Sequence, residues 1–93
     1  MAQNTTVTLT ENTWTQLTDA DVTSITFQNT GGQFMRVAGT TGGTAPTTTA
    51  GAIRYNPGQG ERNVALSDLF PGIAAARVWA ICDMAVDVMV SHA

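Results

Sequence analysis

Thr23-Ser24-Ile25-Thr26-Phe27-Gln28, followed by Asn29-Thr30-Gly31-Gly32 and then Phe34-Met35-Arg36-Val37-Ala38, is the stretch whose reading decides the fold. Ile25 and Phe27 alternate with polar residues at a period of two, the spacing of a strand with one wet and one dry face. Asn and Gly tolerate positive φ, so Asn29–Gly32 reads as a hairpin turn. Phe34–Ala38 is then the return strand, with Met35 and Val37 on one face and Phe34 and Arg36 on the other.

The same texture extends in both directions. All sixteen threonines of the 93-residue chain precede residue 50. Threonine is β-branched, and its restricted χ1 suits a pleated, half-buried surface. Thr5–Thr10 reads as a strand with Val7 and Leu9 inward, and Thr13–Leu17 as a second. Trp14 and Leu17 differ in parity there, which requires a bulge or one outward side chain. Ala52–Tyr55, Asn63–Leu66, Arg77–Cys82 and Val86–Val90 complete the series. Asn56-Pro57-Gly58-Gln59-Gly60 is a turn, because Pro presets φ and Gly supplies a positive one. Ser67–Gly72 breaks the alternation, and Ser67 is placed to cap one helical turn within 67–76. Seven to eight short strands with turn signals every 8–12 residues predict an all-β fold, a small antiparallel β-sandwich or partly closed barrel. The expected core is Val7, Leu9, Ile25, Phe27, Val64, Leu66, Trp79, Ile81, Val86, Val88 and Val90.

The chain is long enough for one domain, residues 1–93, with a modest core. Two parts of it have little to bury: an uncharged, flexible N-terminal arm over 1–6 and a long loop over 39–51. Loops of that length are usually functional or disordered. Ordering such polar segments takes contacts from elsewhere. Ala2, Gln3, Asn4 and Thr5 in the arm, and Thr44, Pro46, Thr47 and Thr48 in the loop, are therefore the candidate interface residues.

Charged residues make up 12% of the chain and the net charge is −3, against about 25% charged residues in a typical soluble domain. Lysine is absent, and Arg36, Arg54, Arg62 and Arg77 are spread along the sequence. No basic stripe forms, which argues against nucleic acid and against a membrane-surface helix as partners. No apolar run reaches the ~18 residues of a membrane span. The first residues carry neither a charged nor an apolar leader region, which predicts maturation in a cytoplasm.

The residues that could carry chemistry are sparse. Cys82 is the single cysteine, so neither an internal disulfide nor a multi-thiolate metal site is expected, and it reads as a small buried hydrophobe. His92 is the single histidine and sits next to the last residue, a poor position for a catalytic base. Most carboxylates fall in turns, where Asp bonds its own backbone. Asp19-Ala20-Asp21 lacks the glycine and distal glutamate of a calcium loop. The glycines of 39–43 are followed by no Lys-Ser/Thr and no helix, unlike a phosphate loop. The expectation is a protein without catalytic activity, metal or cofactor. Trp14 is the one aromatic placed to serve as a glycan platform, the basis of an alternative carbohydrate- or receptor-binding role.

The closing segments Leu66-Ser67-Asp68-Leu69-Phe70-Pro71-Gly72, Arg77-Val78-Trp79-Ala80 and Val88-Met89-Val90-Ser91-His92-Ala93 resemble those of small virion proteins of tailed bacteriophages. Thr8-Leu9-Thr10, Trp14-Thr15-Gln16-Leu17 and Phe27-Gln28-Asn29-Thr30-Gly31-Gly32 are similar in style. The resemblance spans most of the chain and rests on texture and order. It implies a β-rich capsid decoration (cement) protein, or a head or tail fibre component. Such a protein is located on the capsid surface of the virion and assembled in the bacterial host cytoplasm. The implied partners are the phage major capsid protein and copies of the chain itself, as a homotrimer.

Overall fold

The computed structural model describes residues 3–93. Its elements in chain order are β1 (Gln3–Thr8), β2 (Thr15–Gln16), β3 (Ser24–Asn29), β4 (Met35–Thr40), β5 (Ile53–Tyr55), β6 (Gly60–Ala65), α1 (Leu66–Leu69), β7 (Arg77–Ile81) and β8 (Asp87–His92). They form two four-stranded sheets, ordered β1-β8-β3-β6 and β2-β7-β4-β5. Every strand pair is antiparallel. The fold is a small β-sandwich, as the period-two runs require.

The inner faces supply the core. Ile25 and Phe27 from β3, Met35 and Val37 from β4, Val78 and Ala80 from β7, and Val88 and Val90 from β8 are all buried. Between the layers the rings of Phe27 and Tyr55 meet edge to face, with centroids 5.0 Å apart and planes at 86°. That geometry sets the positive ring edge against a negative face.

Several elements differ from their sequence reading. Asn29–Gly32 is not a hairpin. β3 pairs with β6 and β8, whereas β4 pairs with β5 and β7, so the chain crosses between sheets here. Asn29 is fully buried and stabilises the crossing. Its Nδ2 donates to the carbonyls of Gln33 (2.7 Å) and Tyr55 (3.2 Å), and its Oδ1 accepts from the Gly31 N–H at 3.0 Å. Gly31 is needed because a Cβ there would lie 2.7 Å from the Val86 Cβ.

The arm expected to be flexible over 1–6 is a strand from Gln3 onward. Gln3–Thr8 pair in unbroken register with His92–Asp87. Backbone hydrogen bonds order it, so an apolar anchor is not needed. Ala2 lies outside the described residues. The 39–51 loop is shorter than expected, because Gly39 and Thr40 belong to β4 and pair with Val78 and Arg77.

In β7 the expected parity is reversed. Val78, Ala80 and Cys82 belong to the core between the sheets, and Ile81 is only half-buried. Trp79 is buried, but opposite Gln16 and Ala38, on the other side of the sheet from Val78. Both parities of this strand are apolar, so alternation alone could not choose between them. Val7 and Val64 pack only partly buried against the core. Leu17 is buried, and Trp14, of opposite parity, is half-buried. The helical turn begins at Leu66, with Ala65 rather than Ser67 at its cap and no side-chain capping bond.

Candidate functional site

Ala76 donates its N–H to the Thr40 carbonyl at 2.9 Å, which draws the segment after α1 against the end of β4. Gly39 makes the approach possible, since a Cβ there would lie 2.6 Å from the Phe70 ring. Above this contact the 41–52 loop folds on its own hydroxyls. Thr40 Oγ1 donates to the Gly42 carbonyl at 2.6 Å, and Thr48 Oγ1 accepts from the Ala50 N–H at 3.1 Å. Threonine hydroxyls thus take the place of apolar anchors. Thr40 Oγ1 also accepts from the Trp79 indole N–H at 2.8 Å, which ties the loop base to β7.

Between loop and segment lies an open groove of about 520 Å³. Pro46, Thr47 and Thr48 form one wall, and Leu69, Phe70 and Ile73 form the other. None of its lining residues is charged. Ile73 is 47% exposed on the rim, one of two large hydrophobic side chains so exposed among the described residues. Such a groove can take an apolar side chain of a partner without stripping water from an ion.

The candidate interface residues separate into two places. Pro46, Thr47 and Thr48 line the groove, while Thr44 is exposed on the loop outside its lining. Gln3, Asn4 and Thr5 lie in β1, an edge strand of the other sheet. Leu69, Phe70 and Ile73 were missed as site residues. Their signal was the non-alternating run Leu69-Phe70-Pro71-Gly72-Ile73, apolar residues that no strand face could bury together.

On the outer side of the β2-β7-β4-β5 sheet, Phe34 lies under two guanidinium groups. Arg54 Cζ is 4.1 Å and Arg36 Cζ 4.8 Å from the ring centroid. That ring is therefore already engaged by cations. Trp14, the candidate glycan platform, is half-buried just before β2.

The remaining titratable groups are built into the scaffold. His92 ends the inward row of β8, with Nε2 3.1 Å from Gln3 Oε1 and 3.3 Å from Asp19 Oδ1. It fastens the start of β1 and the 19–21 turn instead of fraying. Burial pushes the Cys82 thiol up, and the nearby Asp83 and Glu11 charges act in the same direction. Burial, and then the hydrogen bond to Glu61, likewise raise the Tyr55 phenol. Among the described residues, no three His, Cys, Asp or Glu side chains are grouped to hold a metal ion. No helix among them is long and apolar enough to cross a membrane. Comparison with protein-family models, with curated proteins and with solved structures finds no match to this chain.

Proposed function

We propose that this chain is a structural virion protein, a capsid decoration protein that seats on a tailed-phage head against the major capsid protein and stabilises it. The observation that carries the reading is the uncharged groove between Pro46–Thr48 and Leu69–Ile73, with Ile73 exposed on its rim. An apolar rim flanked by threonines suits a protein contact, in which a dry centre is surrounded by neutral polar groups. Symmetric display on a shell multiplies a modest contact, so one small groove per copy is enough. The reading requires no catalysis, cofactor or metal, and it agrees with the sequence resemblance to phage virion proteins.

The test is reconstitution with empty heads. Ile73→Asp places an unpaired charge in the apolar contact and should strongly reduce the number of copies per particle, with the circular dichroism spectrum unchanged. Replacing Thr44–Thr49 with a short Gly-Ser linker should do the same. Full occupancy in both variants would overturn the proposed attachment. Removing Ala2–Thr5 is a poorer test, because Gln3–Thr5 are paired to β8 and their loss would disturb the sheet. If heads remain fully decorated and the isolated protein binds a surface glycan that Trp14→Ala abolishes, the carbohydrate-binding alternative replaces the decoration reading.

A further inference from the structure

The sandwich has four edge strands, β1 and β6 in one sheet and β2 and β5 in the other. An edge strand presents unpaired backbone donors and acceptors, and proteins usually guard it by shortness, charge or a bulge. Three of these edges are guarded. β2 has two residues and β5 has three, with Arg54 at its centre. β6 carries Glu61 and Arg62, its register against β3 shifts between Ile25 and Phe27, and Asn63 has φ of 46°.

β1 has no such guard. Its six residues Gln-Asn-Thr-Thr-Val-Thr carry no charge and no proline. They pair with β8 in six consecutive steps without a shift, so the strand is regular to its end. Leu9, the next residue, donates its N–H to Val86 at 2.8 Å. Antiparallel backbones alternate in direction from one residue to the next. Val7, Thr5 and Gln3 therefore point their N–H and C=O toward β8, and Thr8, Thr6 and Asn4 point theirs outward. Asn4, Thr5, Thr6 and Thr8 are all exposed, so among the described residues nothing covers this edge.

We propose that β1 is a self-association edge whose occupant is β1 of a second copy, paired antiparallel about a two-fold axis through Thr6. The uncharged strand can face a second copy without like-charge opposition, and the outward N–H and C=O groups of Asn4, Thr6 and Thr8 set the register. With Thr6 opposite Thr6, Asn4 lies opposite Thr8 of the second copy and Thr8 opposite its Asn4. All three outward-facing residues then find partners, and any other two-fold register leaves one or more unpaired. On the inner side, half-buried Val7 meets Thr5 of the second copy, whose methyl group covers it. On the outer side Thr6 meets Thr6, a favourable cross-strand pair. No charge opposes another across the strand pair. The pairing is isologous and closes at two copies, so it defines a dimer in place of the trimer that the family resemblance implies. It joins the two β1-β8-β3-β6 sheets into one continuous sheet of eight strands.

The test uses the purified chain alone, so its outcome is independent of the groove and of any particle. Sedimentation equilibrium should show wild-type protein shifting from monomer to dimer as concentration rises to about 1 mM, a range that covers a small interface. Thr6→Pro removes an outward N–H that β8 does not use, a position where an edge strand accepts proline. Thr6→Lys sets two like charges against each other on the axis. Both variants should remain monomeric throughout, with wild-type circular dichroism and urea midpoint. Thr6→Cys should oxidise to a covalent dimer, because such paired Cα atoms lie about 5.5 Å apart, within disulfide reach. Thr10→Cys, exposed beyond the strand, should not. A wild-type protein that stays monomeric or forms a trimer would overturn the proposal. So would dimerisation of Thr6→Lys at wild-type strength, or equal cross-linking by both cysteine variants.

Discussion

Asn29, the last residue of β3, donates from its side-chain amide to the Tyr55 carbonyl in β5 at 3.2 Å, and so joins the two sheets where the chain passes between them. Its backbone is engaged as well. The Asn29 N–H donates to Gln59 at 2.9 Å, and its carbonyl accepts from the Gly58 N–H at 2.7 Å. A fully buried amide costs stability unless its bonds are made. Here both Nδ2 and Oδ1 find partners, and the residue sets the direction of the crossing.

Asn29→Ala should therefore lower unfolding stability by about 3 kcal/mol, because the Gln33 carbonyl, the Tyr55 carbonyl and the Gly31 N–H all lose their side-chain partner. Urea denaturation followed by tryptophan fluorescence measures it. Wild-type stability in this variant would show that the crossing is held by packing alone.

The parity of β7 is tested by a pair of truncations. Val78 is fully buried between the sheets, and Ile81 is half-buried outside them. Val78→Ala should cost about 2 kcal/mol, and Ile81→Ala less, although isoleucine is the larger side chain. The reverse order of urea midpoints would restore the sequence-based assignment of the inner face.

Gly60 pairs with Gln28 in the β3–β6 ladder, and a Cβ there would lie 2.0 Å from the Phe27 carbonyl oxygen. The obstacle is backbone, which cannot swing aside as a flexible side chain would. Gly60→Ala should destabilise by more than about 3 kcal/mol. Gly32→Ala, where a Cβ meets nothing within 4 Å, should stay within about 0.5 kcal/mol of wild type. Thermal melts of the two variants make the comparison.

Tyr55 is the only tyrosine, and the chain has no lysine, so alkaline titration reads it with little interference. Burial, the hydrogen bond to Glu61 and the Glu61 charge all raise its phenol above the ordinary 10.0. The unfolded chain then releases this proton at lower pH than the native one. The stabilisation is complete below about pH 10 and declines as pH rises beyond it. Tyrosinate absorbance should appear in native protein only well above the transition of unfolded protein. Tyr55→Phe should show a shallower loss of stability between about pH 9 and pH 11 than wild type. Cys82 titrates in the same direction in both proteins, so the difference isolates the phenol.

The strands themselves were legible in the sequence, because alternation at period two is a local property of β backbone. Ile25 and Phe27, or Val88 and Val90, declare a buried face without reference to any partner. Pairing is not local. Asn29-Thr30-Gly31-Gly32 has the composition of a hairpin, yet whether it turns back or crosses depends on Tyr55, Gln59 and Val86, residues far along the chain. In β7 both parities are apolar, so the inner face was decided only when Thr40 took the Trp79 indole N–H on the outer side. Polar Gln3–Thr6 offered no hydrophobic signal, and their order comes from backbone pairing with β8. The groove needed the same long reach. Pro46, Thr47 and Thr48 could be singled out from the sequence, but Leu69, Phe70 and Ile73 become their opposite wall only because Gly39 lets Phe70 lie against β4. The sequence by itself determined where the apolar-faced strands lie. Tertiary packing decided which strands meet, because hydrogen bonds and close contacts between distant residues select among partners that local periodicity leaves equivalent.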